Sequence, residues 1–347
     1  MLRLTETKNY ARTPDVQELP SLIEVQLDSF KWFLEDGLLE LFDEINPIES
    51  FNGNLKLYFP GKNKVSQELG LKFYFEPPKY TEEIAIERDL SYAAPLYIRV
   101  ALVNEEAGGQ VITSDMFLGD FPIMTDQGTF IINGTERVVV SQLIRSPGVY
   151  FDVVEDRTTG RVLSTAKLIP DRGAWMEFET RKTDYLTIKF NRKRTIPVTI
   201  LLRALAAIGD GLDDPNSPLQ TGSTDELLAL FEAVDNNPDH QYIRKTIENE
   251  PQWDTLQKKD QTVAQAALIE FYRRMRPGDP PTLDNARNFL IDQLFDKRRY
   301  DLERVGRYKL NQRLHLDGIV PRSHRTITKY DIVRLVERLI EINNGLG

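Results

Sequence analysis

Planar and cationic donors are the groups in this chain best suited to chemistry, and that chemistry is holding phosphates and base edges. Arg137, Gln142 and Arg145 follow one another in one short stretch. A guanidinium presents a fork of N–H donors that matches a phosphate, and a Gln amide sets a donor beside an acceptor for a base edge. Arg192-Lys193-Arg194 forms a second cluster at a strand end. It reads either as a solvated turn or as a contact to a phosphate backbone. Trp175 follows Arg172 closely, and its indole suits stacking on an unpaired base as well as it suits a core position.

Groups that make and break bonds are missing. His240, His315 and His324 stand far apart, in no ligand spacing, and Cys is absent. That excludes disulfides, thiolate catalysis and cysteine zinc sites. No H-E-x-x-H, no G-x-x-x-x-G-K-[ST] and no G-x-G-x-x-G occurs. Asp213, Asp214 and Asp279 each lie beside Gly or Pro in polar loops, where acids are commonly solvated turn residues. A stand-alone enzyme built on such scattered acids would lack a nucleophile, a metal set and a cofactor loop. Asn133-Gly134-Thr135 fits a glycosylation acceptor, but a turn is the better reading without a signal peptide.

The elements that must position these donors follow from length and pattern. The chain has 347 residues, enough for about two domains. Lys+Arg 44 against Asp+Glu 53 leaves a net charge of -9, so nucleic-acid contact has to come from local patches. A hydrophobic fraction of 41% suits chains that bury sizeable cores, and no apolar run is long enough to span a bilayer.

Ser21 and Glu24 have capping-box spacing, and Ile23, Leu27, Phe30 and Leu34 recur with a helical period that Gly37 interrupts. A separate helical turn is expected over Leu38 to Phe42. Short alternating strands are expected from Phe51 to Val103, two of them about Tyr97 to Ala101 and ending at the loop Asn104 to Gly109. Thr129 to Val140 predicts a hairpin, because Asn133-Gly134 supplies the positive φ values of a type I′ turn. Ser146-Pro147-Gly148 marks a domain boundary, giving domains 1–146 and 147–347.

Beyond it, strands are expected over Trp175 to Phe178 and Leu186 to Phe190. A helix opens at Pro197 and closes at Gly209, and a surface loop runs from Gly209 to Gly222. Helices are then expected over Asp225 to Ala233, Tyr242 to Ile247, Thr262 to Met275 and Leu283 to Leu294. The last helix starts at a Thr328/Asp331 capping box. The fold class is α+β in two domains, the first β-rich with an N-terminal helix and the second mixed.

The stretch from Gly119 to Phe151 resembles, almost residue for residue, the N-terminal part of the β subunit of bacterial DNA-dependent RNA polymerase. It includes Asn133-Gly134-Thr135-Glu136-Arg137-Val138-Val139-Val140-Ser141-Gln142 and Arg145-Ser146-Pro147-Gly148. Ser91 to Leu96, Ile169 to Trp175, Arg276 to Thr282 and Arg299 to Asn311 agree in order, so the resemblance covers nearly the whole chain. It implies a fragment of a longer chain that ends before the family's Asp-Asp-Ile-Asp-His segment. The two domains are then the first part of the protrusion (β1) and the lobe (β2).

The same resemblance implies the roles of single residues. Arg137, Val140 and Gln142 match the edge of the rifamycin pocket beside the RNA–DNA hybrid. Arg145 and Trp175 match contacts to the non-template strand. Asn191 stands where the family usually has Asp, and Arg192, Lys193 and Arg194 resemble the lobe's basic turn facing downstream DNA. Val111, Ile112 and Thr113 align with an edge strand used by the transcription-repair coupling factor, with that segment's charges missing. No catalytic residue is expected here, since the family's Mg²⁺ is held by the β′ subunit. DNA, the hybrid, and the β′, α and sigma subunits are the implied partners, in a cytoplasmic, nucleoid-associated setting without a membrane. The rival reading is a protein-interaction module docking factors at the Val111 edge.

Overall fold

Helices and strands mix in a computed structural model that describes residues 21–192, 194–212 and 215–346, so the fold is α+β. Lys193, Asp213 and Asp214 lie outside the described residues. The chain divides between Leu143 and Ile144 into two units.

The first unit opens with α1 (Glu24–Trp32), a π-helical turn (Phe33–Gly37) and α2 (Leu38–Ile45). Two expectations change here. Ile23, not Ser21, is the N-cap of α1, and no side chain caps it. Gly37 does not separate two helices either, since the backbone passes through the π turn into α2 without leaving helical angles. A single wide turn shifts the apolar stripe and keeps the hydrogen-bonded axis running. Next come β1 (Ile48–Glu49), β2 (Leu55–Tyr58), α3 (Lys64–Glu68), β3 (Phe73–Phe75) and α4 (Glu82–Glu87). They lead to β4 (Ala93–Asn104) and β5 (Gln110–Pro122), followed by β6 (Phe130–Ile132) and β7 (Thr135–Arg137).

The stretch expected to hold two short strands is one long hairpin instead. β4 and β5 pair antiparallel from Ala93↔Pro122 to Asn104↔Gln110. Along β4, Ala94, Leu96, Ile98 and Val100 are buried in alternation, the period-2 pattern of a one-sided sheet. β2 and β3 share the opposite edge of β4. Leu38 and Phe42, four residues apart on α2, pack with Ile98 and Val100 and are ringed by Phe59, Phe73 and Phe75.

The second unit is a five-stranded antiparallel meander covered by helices. Its strands are β8 (Gly148–Glu155), β9 (Val162–Ile169), β10 (Met176–Thr180), β11 (Leu186–Phe190) and β12 (Thr195–Pro197), in spatial order β12-β11-β10-β9-β8. The helices are α5 (Val198–Ala206), α6 (Thr224–Phe231), α7 (Tyr242–Glu248), α8 (Trp253–Leu256), α9 (Val263–Met275), α10 (Leu283–Leu294), α11 (Glu303–Leu314) and α12 (Lys329–Asn343). Pro197 stands one residue before α5, which starts at Val198 rather than at the proline and ends at Ala206, not at Gly209.

The Gly209–Gly222 stretch is more than a surface loop. Asp210 and Leu219 are buried, and Lys329 is tied to both, its N–H donating to the Asp210 carboxylate at 3.0 Å and its Nζ to the Leu219 carbonyl at 3.2 Å. The Thr328/Asp331 capping box forms as expected, at 3.2 Å and 2.8 Å. One continuous core joins the β-meander to α5, α9 and α12, and each fully buried Leu, Ile or Phe in it contributes about 1.5–3 kcal/mol.

Candidate nucleic-acid interface

In the first unit the donors ride on the β6–β7 hairpin. Asn133 (φ 49°) and Gly134 (φ 73°) form its turn, as the Asn-Gly pair predicts. A Cβ on Gly134 would stand 2.8 Å from the Asp89 Cα, so only Gly fits this approach. The hairpin is anchored at its turn and along β6, the Gly134 N–H donating to the Leu90 carbonyl at 2.8 Å and the Tyr92 N–H to the Ile131 carbonyl at 2.9 Å. Pairing ends at Phe130↔Arg137, earlier than the β-branched run suggests. Val138, Val139 and Val140 leave the ladder, pair with no described strand of this unit and are 52%, 63% and 78% exposed.

Arg137 points from the end of β7 into an apolar groove of about 560 Å³. Phe30, Trp32 and Phe33 line it from the N-terminal helix, and Phe121 and Phe130 line it from the strands. Val140 and Gln142 do not line the groove and lie exposed further along.

On the far side of this unit's sheet, β5 pairs with β4 alone among the described strands. Val111, Ile112 and Thr113 are all exposed along it. Arg99 and Asp115, directly opposite across the two strands, form a two-pronged ion pair at 2.7 and 2.9 Å, and the guanidinium holds the Asp115 carboxyl below its usual range.

In the second unit two cation–aromatic clusters stand out. Trp175 is exposed rather than a core residue, and the Arg192 guanidinium lies 5.2 Å from its ring centre. The β11–β12 turn makes that contact. Asn191 (φ 51°) and Arg192 (φ 59°) both take left-handed backbone angles, and the Asn191 N–H donates to the Trp175 carbonyl at 2.7 Å. Asn tolerates this conformation through its short polar side chain, whereas for Arg it costs roughly 1–2 kcal/mol. Strain of that kind gathers at working sites. Arg194 is exposed beyond the turn. Arg172, expected beside the indole, is held by Asp301 through a backbone bridge and an ion pair at 3.7 Å. Gly173 between them approaches Tyr300 so closely that a Cβ would sit 2.7 Å from the ring.

The second cluster surrounds Tyr150. Arg145 lies 4.6 Å from the ring centre and Arg313 of α11 lies 5.7 Å from it. The Tyr150 hydroxyl donates to the Ser146 carbonyl at 2.6 Å, and Lys309 Nζ donates to Ser146 Oγ at 2.5 Å. Arg313 also donates to the Val149 carbonyl at 3.0 Å. Three cations thus gather around one phenol, with no carboxylate paired to any of them among the described residues. Sequence reading missed Lys309 and Arg313. Their i, i+4 spacing would have found them had α11 been recognised, but Gly306 and a start without a side-chain cap hide that helix.

Other tempting groups prove structural. Asp279 is paired with Arg276 at 3.3 Å, His240 with Asp184 at 2.9 Å, and His315 is the left-handed C-cap of α11. Among the described residues no three His, Cys, Asp or Glu side chains gather into a group that could hold a metal ion. No described helix is long and apolar enough to cross a membrane.

A family profile described as RNA polymerase Rpb2, domain 2, matches residues 145–213 and 228–347. The chain is 49% identical to the DNA-directed RNA polymerase subunit beta of Chloroflexus aggregans, an alignment covering 99% of this chain and 28% of that protein. It is 44% identical to the same subunit of Dehalococcoides mccartyi strain CBDB1, covering 97% of this chain and 24% of the relative. For Geobacillus kaustophilus the identity is 46%, over 90% and 23%. The chain therefore spans about a quarter of the length of these relatives.

Proposed function

This chain belongs to the RNA polymerase β-subunit family, with its second unit matching Rpb2 domain 2, and on that premise we propose that it forms a non-catalytic wall of the DNA cleft of a DNA-directed RNA polymerase. The first unit is the protrusion in this reading and the second the lobe. Together with β′, α and sigma subunits they serve DNA-templated RNA synthesis in the cytoplasm, at the nucleoid. Bond making falls to Mg²⁺ on the β′ subunit, and this chain's part is to hold strands in place.

The observation that carries the reading is the exposed Trp175 beneath the Arg192 guanidinium, on a turn with two left-handed non-glycine residues. An indole offers a flat face to an unpaired base, and the guanidinium beside it suits the adjoining phosphate. Arg145, Lys309 and Arg313 around Tyr150 supply a second run of phosphate donors. Arg194, exposed beyond the turn, adds a further cation. In the first unit, Arg137 at the groove, with Val140 and Gln142 beyond it, belongs to the rifamycin-pocket edge facing the hybrid. The net charge of -9 confines DNA to these patches.

Fluorescence anisotropy with labelled forked DNA tests this. Binding is expected to weaken steeply between about 50 and about 200 mM salt, on the order of one logarithmic unit per contacted phosphate per decade of salt. Equal affinity at both ends would remove the phosphate-driven contact.

A second reading rests on β5. Its open edge and exposed Val111–Thr113 suit strand addition by a protein partner such as a transcription-repair coupling factor. Loss of that partner's binding with Ile112→Pro, at unchanged circular dichroism and DNA affinity, would favour it.

A further inference from the structure

A third cationic site draws on residues of α11 and the turn after it that are not used above. Arg304 and Tyr308 stand four residues apart on this helix and therefore on one face. The turn that follows brings Arg322, Ser323 and Arg325 to the same cavity, about 570 Å³ in volume. All five lining side chains carry a hydrogen-bond donor, and none is negative at neutral pH.

The site is assembled before any ligand arrives. The fully buried Arg307 donates through Nε to the His324 carbonyl at 2.7 Å and through Nη2 to the Thr326 carbonyl. Its Nη1 meets Asp331 at 2.7 Å, and the Leu302 N–H donates to the Arg325 carbonyl at 2.8 Å. The turn backbone is thus fastened to α11 on both sides of Arg325. Arg322 lies 5.1 Å from the Tyr308 ring centre, and Asp317 steadies it at 3.3 Å. Arg325 is oriented by Asp301 and by Glu303 at 3.6 Å. None of these three carboxylates lines the cavity. Arg304 has no ion pair or hydrogen-bond partner among the described residues.

The geometry points to a phosphate-binding site formed by Arg304, Tyr308, Arg322, Ser323 and Arg325. Guanidinium forks match phosphate oxygens in pairs, and the two hydroxyls add donors to the remaining lone pairs. A metal cation would meet like charge, and a carboxylate would leave donors unused, since it offers two oxygens where a terminal phosphate offers three. The phosphate comes either from a nucleic-acid strand, a source that rests on the cleft-wall reading, or from a free oligophosphate, which does not need it.

Calorimetric titration of the 347-residue chain with inorganic triphosphate at low salt tests the site, and anisotropy with forked DNA separates the sources. Arg304→Gln and Arg322→Gln are each expected to weaken triphosphate binding about tenfold, and Arg304→Lys to recover part of the loss. Both glutamine variants alter exposed side chains, so unchanged circular dichroism keeps the comparison sound. Triphosphate that does not bind the wild type, or binds both glutamine variants as tightly, overturns the site. A parallel loss of DNA affinity in Arg304→Gln assigns the phosphate to nucleic acid. Triphosphate binding that needs Arg304 in a chain with no DNA affinity leaves the site standing and removes the cleft-wall reading.

Discussion

Arg307 and Asp331 meet at 2.7 Å with both side chains buried, and the same Asp331 carboxylate closes the capping box of α12. One acid thereby fixes a helix start and neutralises a guanidinium that binds two carbonyls of the Pro321–Thr326 turn. Removing one partner strands the other in a low-dielectric interior. Arg307→Ala is expected to cost about 3–5 kcal/mol of stability, well beyond a surface change. Chemical denaturation of the variant measures it. A loss under about 1 kcal/mol would mean that water reaches the pair.

Trp175 and Arg192 make separable predictions because one stacks and the other carries charge. Trp175→Ala is expected to weaken binding of forked DNA by about 1–3 kcal/mol and to leave its salt dependence unchanged. Arg192→Ala should lower the salt slope by about one contacted phosphate. Arg192→Gly should lower it equally and also raise stability slightly, since Gly adopts the left-handed angle freely. A salt slope that drops with Trp175→Ala and stays with Arg192→Ala would reverse the two roles.

His324 sets a pH dependence. Burial, followed by the charge of Arg307, pushes its imidazole below the ordinary value of 6.5, while Asp331 and Asp210 pull the other way and Lys297 adds to the lowering. As pH falls past about 6.5, the unfolded chain takes up the proton before the folded one. Stability is therefore full above that pH and declines below it until the folded imidazole titrates. Burial raises Asp235 and Glu337, which work in the opposite sense but in the carboxylate range. His324→Gln should flatten the fall in melting temperature between about pH 7 and pH 5.5. An unchanged slope would show that the imidazole titrates alike in both states.

What could be read in advance was whatever short-range rules decide. The Asn133-Gly134 turn and the Thr328/Asp331 cap depend on neighbours in sequence, and both form. Ser21 failed as a cap because its side chain reaches only the Ile23 N–H, at 3.5 Å, while the first turn begins at Glu24. The β4–β5 hairpin was underestimated because strand length is set by pairing across the sheet, which a local pattern does not encode. Of the candidate site, the donors were legible and their partners were not. Arg172 lies near Trp175 in the chain, yet Asp301 takes it, while Arg192 reaches the indole through a turn whose positive φ angles no Arg propensity announces. Lys309 and Arg313 stayed hidden for a similar reason, since the helix that aligns them is shaped by what it packs against.

Gly306 shows how that packing works and gives the sharpest test of it. In an exposed helix interior, Gly→Ala gains about 1 kcal/mol, so propensity alone predicts that Gly306→Ala stabilises α11. The position is buried, however, and a Cβ there would stand 2.7 Å from the Pro147 Cβ, well inside the ~3.5–4 Å of ordinary carbon contact. Pro147 has little room to retreat. Its neighbour Ser146 is held by Tyr150 and Lys309, and Gly148 begins β8 in register with Ile169. The clash is expected to win, giving a net loss of about 1–3 kcal/mol in chemical denaturation. Pro147 lies two residues from Arg145, whose guanidinium stands over Tyr150, so affinity for forked DNA should fall with it. A Gly306→Ala chain as stable as the wild type would mean that the helix and the Ser146–Gly148 segment can part, and that the Tyr150 cluster is held by its hydrogen bonds alone.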